Sequence, residues 1–303
     1  MKFSIITPAL NQLPYLKRCI ASVADQQGVE VEHIVIDGGS TDGTVEWLNT
    51  VADRYRLTFI SEPDKGMYDA LNKGVTLALQ KQGDENLPDN WQQTTGNCDD
   101  EIVAWLNCDE QYLPGTLEKV AQYFTEHPDA DAAYGDVLLV SPDGGLLTCR
   151  KNPPLRRAYI LADHLYAHSA SMFFRSGIFD SGLRFDSSWK AVSDCDFILR
   201  VLKSGFRFGQ IKKYLSACTM SGENLSRQQA GIEELKAFRR LSPPLYRMGR
   251  PAWNAFRYLE KFLRGGYAQA LPLEYELYTE DLDRRRLIRA RAASCKFRWD
   301  GNE

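Results

Sequence analysis

The apolar run Ile34, Val35, Ile36 stops at Asp37 and gives way to Gly38, Gly39, Ser40, Thr41, Asp42, Gly43 and Thr44. A buried strand leaves a sheet in this way and turns into a helix beside a polar ligand. The glycines allow close backbone approach. Asp37 can accept hydrogen bonds from a base or a ribose. Ser40, Thr41 and Asp42 can cap a helix that begins near Thr44. A capped turn without a ligand is the better reading of this segment when it is taken alone.

The same alternation recurs. Strands are expected at Phe3 to Thr7, Glu32 to Ile36, Leu57 to Ser61, Ile102 to Leu106 and Ala132 to Val140. Helices are expected at Tyr15 to Gln26, Val45 to Asp53, Met67 to Gln80 and Pro114 to Glu126, with Pro114 in the first turn. Repeated β-α units imply an α/β fold, a mostly parallel sheet covered by helices on both faces. Its ligands sit at the carboxyl ends of the strands. That edge would gather Asn11, Asp37, Asp64 and Asp109. The polar stretch Lys81 to Asp100 reads as a mobile, non-catalytic loop at the opposite edge. Asp143, Gly144 and Gly145 form a hairpin turn. Beyond about Gly222 the pattern turns helical, basic and aromatic, which divides the chain into residues 1–226 and a helical extension, 227–303.

The formal charge of −3 over 303 residues gives no reason to expect nucleic-acid binding. No apolar run approaches the roughly 20 residues that span a bilayer. Residues 1–6 enter a strand without the features of a signal peptide, so the expected location is cytoplasmic. Seven scattered cysteines without a C-x-x-C pair point to reduced thiols, not to a disulfide framework or a zinc site.

Four further segments carry candidate chemistry. Thr7, Pro8, Ala9, Leu10 and Asn11 follow the first strand. Glu62 to Gly74 places Asp64, Lys65 and Gly66 on a turn that opens a helix, where an anionic ligand is favoured. Trp105 to Gly115 delivers Asn107, Cys108 and Asp109; on a strand, Asn107 and Asp109 would share a face. A carboxylate and an amide oxygen suit a hard divalent cation also held by phosphate. Ser193 to Leu202 sets Asp194 and Asp196 in the first turn of an apolar helix. The helix dipole would lower a carboxyl pKa there and burial would raise it.

Together, in order, these segments resemble the inverting glycosyltransferases of family 2, with the GT-A fold, over roughly Met1 to Ser226. The likeness is greatest to bacterial members that build surface or capsular polysaccharides. The resemblance implies a nucleotide-binding set of Thr7, Pro8, Ala9, Asn11, Asp37, Ser40 and Asp42, with Asp37 facing the base. Asp64, Lys65 and Gly66 would lie near the base and diphosphate. Asn107, Cys108 and Asp109 take the place of the D-x-D motif, with Asp109 contacting Mg²⁺ or Mn²⁺. Asp194 matches the catalytic base, and His168 a histidine before the acceptor-side strand. Asn107 replaces the first aspartate of a strict D-x-D, and Ser193 stands where the family often has glutamate. The donor would be a nucleotide sugar, UDP being favoured slightly by Asp37. The acceptor would be a glycan or a lipid-linked hydroxyl, and a homo-oligomer is compatible with the sequence.

Three smaller signals stay open. His164 and His168 are four apart, but no third metal ligand is near; one solvent-facing and one pocket-facing histidine is the simpler reading. Asp136 is either an acceptor-facing group or a turn cap. Tyr246 to Tyr267 mixes arginines with aromatics, which suits helices packed on the catalytic domain or on a second subunit. It also suits a helix on anionic lipid at the inner face of the cell membrane. A dinucleotide oxidoreductase would need G-x-G-x-x-G after the first strand, and Thr7 to Asn11 holds no glycine. A decayed transferase that only binds nucleotide sugar is the alternative that intact Asp109 and Asp194 oppose.

Overall fold

A computed structural model describes residues 1–52, 56–80, 101–222 and 228–294. The elements in chain order are β1 (Lys2–Ala9), α1 (Leu13–Ala24), β2 (Glu30–Asp37), α2 (Thr44–Val51), β3 (Leu57–Ser61) and α3 (Met67–Leu79). Then come β4 (Glu101–Trp105), β5 (Glu110–Tyr112), α4 (Thr116–Glu126), β6 (Ala132–Val140), β7 (Leu146–Arg150) and α5 (Arg157–Ala162). They are followed by β8 (Met172–Arg175), α6 (Gly177–Asp180), α7 (Ser193–Lys203) and β9 (Phe208–Thr219). The chain closes with α8 (Gln229–Leu241), α9 (Pro244–Met248), α10 (Arg250–Leu263), β10 (Leu273–Leu277) and β11 (Arg286–Ala290).

The main sheet runs β3-β2-β1-β4-β8-β6-β9-β5, with β7 paired to β6. The first four strands are parallel, so β1, β2 and β3 end level at Ala9, Asp37 and Ser61. β8 is antiparallel to both β4 and β6, whereas β6 and β9 are parallel. Adjacent residues on these strands feed opposite faces. Phe3, Ile5, Ala104 and Phe173 pack with α1 and α4. Ile6, Trp105 and Phe174 pack with Tyr68, Phe185 and Phe197 beneath α3 and α7. The aromatic rings interlock there: Trp105 stacks on Phe174 with centroids 5.3 Å apart and meets Phe185 edge-on at 5.0 Å. This packing fixes α7, and therefore Asp194, relative to β4.

The expected strands at Leu57 to Ser61 and Ala132 to Val140 are found with those bounds, and the hairpin turn at Gly144 joins β6 to β7. Pro114 instead precedes its helix, because Gly115 at φ 65° makes the turn into α4. The tail contains the expected helices but ends in the antiparallel hairpin β10–β11. The stretch Lys81 to Asp100 lies outside the described residues, as does the division near residue 226. The five described cysteines are buried thiols.

The tail is tied to the body. Arg285 clamps Asp25, and Gln111 exchanges two hydrogen bonds with the backbone of Tyr278, at 3.0 and 2.9 Å. Buried Asp163, after α5, receives Arg239 at 2.6 Å, Arg250 at 2.7 Å and Arg257 at 3.3 Å. Burial opposes ionisation, but His164 and these guanidinium groups hold the Asp163 carboxyl well below its usual range.

Candidate active site

The carboxyl ends of β1 and β2 are braced against each other. Asn11, at φ 52°, accepts the Thr41 amide through Oδ1 at 2.8 Å, and its own amide donates to Ser40 Oγ at 2.8 Å. Asp42 accepts the Leu13 amide at 2.9 Å and the Thr44 hydroxyl at 2.6 Å, joining the starts of α1 and α2. Asp37 is fully buried, and its carboxylate accepts the Gly39 and Ser40 amides and the Ser40 and Ser61 hydroxyls. These contacts of Asn11, Ser40 and Asp42 hold loop to loop. The Thr7 hydroxyl points inward, 2.9 Å from His33 Nε2. Pro8 and Ala9 contribute backbone alone, and the Pro8 carbonyl accepts the Cys108 thiol at 3.3 Å.

The next loop seats against this frame. Asp64 accepts the Gly66 amide at 2.7 Å, and a Cβ on Gly38 would lie 2.7 Å from Asp64 Oδ2. Only glycine at position 38 admits that approach. Gly66 takes φ 118°, which opens α3 beside an exposed Lys65. Lys190, on the loop before α7, donates to the Lys65 carbonyl and brings a second exposed amine to the same turn.

β4 ends at Trp105, so Asn107 and Asp109 lie on a turn and strand alternation does not place them. The Asn107 amide donates to Glu110 Oε2 at 2.8 Å, whereas its side-chain Oδ1 is buried without a partner. The Asp109 carbonyl accepts the Thr219 amide at 2.8 Å, leaving the residue half-buried. Glu110 is buried, and both burial and the neighbouring charges of Asp109 and Asp194 push its carboxyl up. His168 Nδ1 lies 3.6 Å from Glu110 Oε1, and burial lowers that imidazole to about 4. Glu110, His168 and Cys218 each offer a ligand atom, all within 4.8 Å of one another.

Asp194 sits half-buried in the first turn of α7. Burial raises its pKa to about 6, against an opposing hydrogen bond from the Cys195 amide at 2.8 Å. Burial therefore outweighs the helix terminus. The Tyr68 hydroxyl donates to the same oxygen at 3.4 Å. Asp37, Asp109 and Glu110 all act on the buried Cys108 thiol, and Asp109 and Asp194 both act on Glu110. The charges of three distant segments thus converge at one sheet edge.

The donor set fits a hard divalent cation. Asp109 and Glu110 crowd negative charge, and the Asn107 and His168 acceptor atoms are buried without partners. Cys218 is the poorer ligand: burial holds its thiol neutral, and thiolate sulfur suits softer metals. Glu110, Tyr68 and Lys190 were not assigned from sequence. The first two lie inside segments already singled out, whereas Lys190 carries no local signal. His164 Nδ1 lies 3.0 Å from Asp163, with 34% of its side chain exposed. Asp136 is buried inside β6, where it accepts the Asn152 amide at 2.8 Å. The tail helices rest on the body of the chain.

Residues 4–179 match the family described as Glycosyl transferase family 2. A PGL/p-HBAD biosynthesis glycosyltransferase of Mycobacterium bovis is 32% identical over 204 residues, covering 65% of this chain and 68% of that protein. Hyaluronan synthase of Pasteurella multocida is 25% identical over 83% of this chain, which spans only 24% of the synthase. The crystal structure of S. aureus TarS in complex with UDP-GlcNAc shares the fold, with a TM-score of 0.59 and 20% identity over 87% of this chain and 73% of that one.

Proposed function

The chain belongs to glycosyl transferase family 2 and is a glycosyltransferase, and from that premise we propose an inverting, cation-dependent transfer from a UDP-sugar to a hydroxyl of a glycan or lipid-linked acceptor in surface polysaccharide or glycolipid synthesis. The names of the mycobacterial and Pasteurella relatives support that acceptor class, and the UDP-GlcNAc complex of TarS supports the nucleotide. Residues 1–226 would carry the reaction, and 227–303 would brace them.

The braced ends of β1 and β2 receive the nucleoside, with Asp37 holding the turn whose backbone meets it. Lys65 and Lys190 face the diphosphate and offset its charge. Asp109 and Glu110, with Asn107 and His168 adjoining, would hold Mg²⁺ or Mn²⁺, which neutralises the leaving diphosphate when bound. Asp194 takes the proton of the acceptor hydroxyl as its oxygen attacks the anomeric carbon from the face opposite the leaving group. Tyr68 and the Cys195 amide hold Asp194 Oδ1 in place and leave Oδ2 for the proton.

The observation that carries this reading is the seat of Asp194: its Oδ1 takes the Tyr68 hydroxyl and the Cys195 amide, burial raises the carboxyl to about 6, and its charge reaches Glu110. A base works best with a pKa near the working pH. Thermal shift with UDP, GDP and dTDP, with and without Mn²⁺, tests the binding half. UDP plus Mn²⁺ should raise Tm by roughly 5 °C. If no nucleotide moves Tm, or Mn²⁺ makes no difference, the assignment of the donor site fails.

A further inference from the structure

Helix α10 is built inside out. The face turned to the protein is charged: Arg257 is 5% exposed and reaches Asp163, while Glu260 accepts Arg156 at 2.8 and 2.7 Å and Tyr159 at 2.9 Å. The opposite face is apolar and open. Phe256, Leu259, Phe262 and Leu263 are 53–74% exposed. Leu241 at the end of α8 and Leu245 and Met248 on α9 are exposed as well, Met248 to 80%. An ordinary surface helix buries its apolar stripe and shows its charges to water. Here the polar residues are spent on docking, and the apolar residues lie uncovered. An exposed patch of this kind marks an interaction surface.

Charge distinguishes the occupants. Residues 236–264 carry eight lysines and arginines against the single acid Glu260, in a chain whose formal charge is −3. Arg240, Arg247, Arg250 and Arg264 of this segment are exposed, with Arg250 paired to Asp163 and Arg264 to Glu260. A two-fold contact with a second copy would set this basic segment against itself. An anionic bilayer surface instead supplies both an apolar layer and the opposite charge. Among the described residues no helix is long and apolar enough to cross a membrane, so the geometry suits a helix lying in the interface plane.

We propose that the exposed face of α9 and α10, with the end of α8, docks this protein on an anionic lipid surface, with Phe256, Leu259, Phe262 and Leu263 entering the acyl boundary. The site is independent of glycosyl transfer, and its test needs no donor. The full chain is floated with phosphatidylcholine vesicles that contain or lack phosphatidylserine, at low and high salt. Binding should require phosphatidylserine and weaken with salt. Leu259→Glu combined with Phe262→Glu should lower the partition coefficient by at least about tenfold. Both side chains are exposed, so the variant should melt like the parent. Leu147→Glu, an exposed apolar site elsewhere, should bind as the parent does. No flotation of the parent chain, or equal flotation of the double variant, overturns the proposal. So does a dimer in sedimentation velocity that the double variant dissolves while vesicles bind neither form; that result gives the face to a second copy.

Discussion

Replacing Asp194 by Asn separates the two consequences of burying this carboxylate. Its pKa stands at about 6 against an ordinary 3.8, so the ionised form is disfavoured by about two pH units, or roughly 3 kcal/mol. Asp194 is only half-buried, and solvent screening reduces the expected effect to on the order of 1–3 kcal/mol. Below about pH 4 the group is neutral in both folded and unfolded chains, and no penalty applies. Between 4 and 6 the native state keeps a proton that the unfolded chain has released, so stability falls as pH rises; above 6 the whole penalty persists. Asn keeps the acceptor oxygen for the Cys195 amide and Tyr68 but carries no charge. Urea unfolding should therefore show Asp194→Asn more stable than the parent at pH 8, with the gain vanishing near pH 4. Nucleotide release from the donor sugar should fall on the order of 10²–10⁴-fold. In the parent that rate should decline below about pH 6 as Asp194 takes up its proton. A variant with near-parental turnover removes Asp194 from the chemistry. One with no gain at pH 8 and an unchanged slope between 4 and 6 refutes the burial argument.

Asp109→Ala should raise the Mn²⁺ concentration needed for donor binding at least about tenfold, read by titration calorimetry; an identical titration would move the cation elsewhere. Lys190→Ala should weaken donor binding by about 1–2 kcal/mol, seen as a raised donor KM that falls back at low ionic strength less than a surface ion pair would. An unchanged KM would confine Lys190 to its loop contact. Asp163→Ala leaves buried Arg257 without its carboxylate and should cost about 3–5 kcal/mol in denaturant unfolding. A loss under 1 kcal/mol would mean that the arginines repack freely.

The alternation of periods in the first 140 residues located five strands, since buried parallel strands and amphipathic helices leave strong local patterns. β5, β8 and β9 were harder to see because their identity depends on pairing across the sheet: Glu110–Tyr112 is only three residues long and meets β9 from far along the chain. The site was legible as segments but not as orientations. Thr7, Asn11 and Asp42 occupy the expected loops, yet their side chains are turned toward His33, Thr41 and Leu13. Nothing local specifies which oxygen finds which amide. Lys190 was invisible for the same reason, as its place beside Lys65 depends on how α7 is seated on the aromatic cluster.

Glu234, on α8, accepts the amides of both Lys190 and Ala191, at 2.8 and 2.7 Å. Those residues stand three and two places before the helix that carries Asp194. A chain shortened ahead of α8 would strip two backbone donors of their acceptor and slacken the approach to the base. The tail is therefore no detachable appendage: exchanging it between relatives, or trimming it to ease handling, should be felt first in turnover.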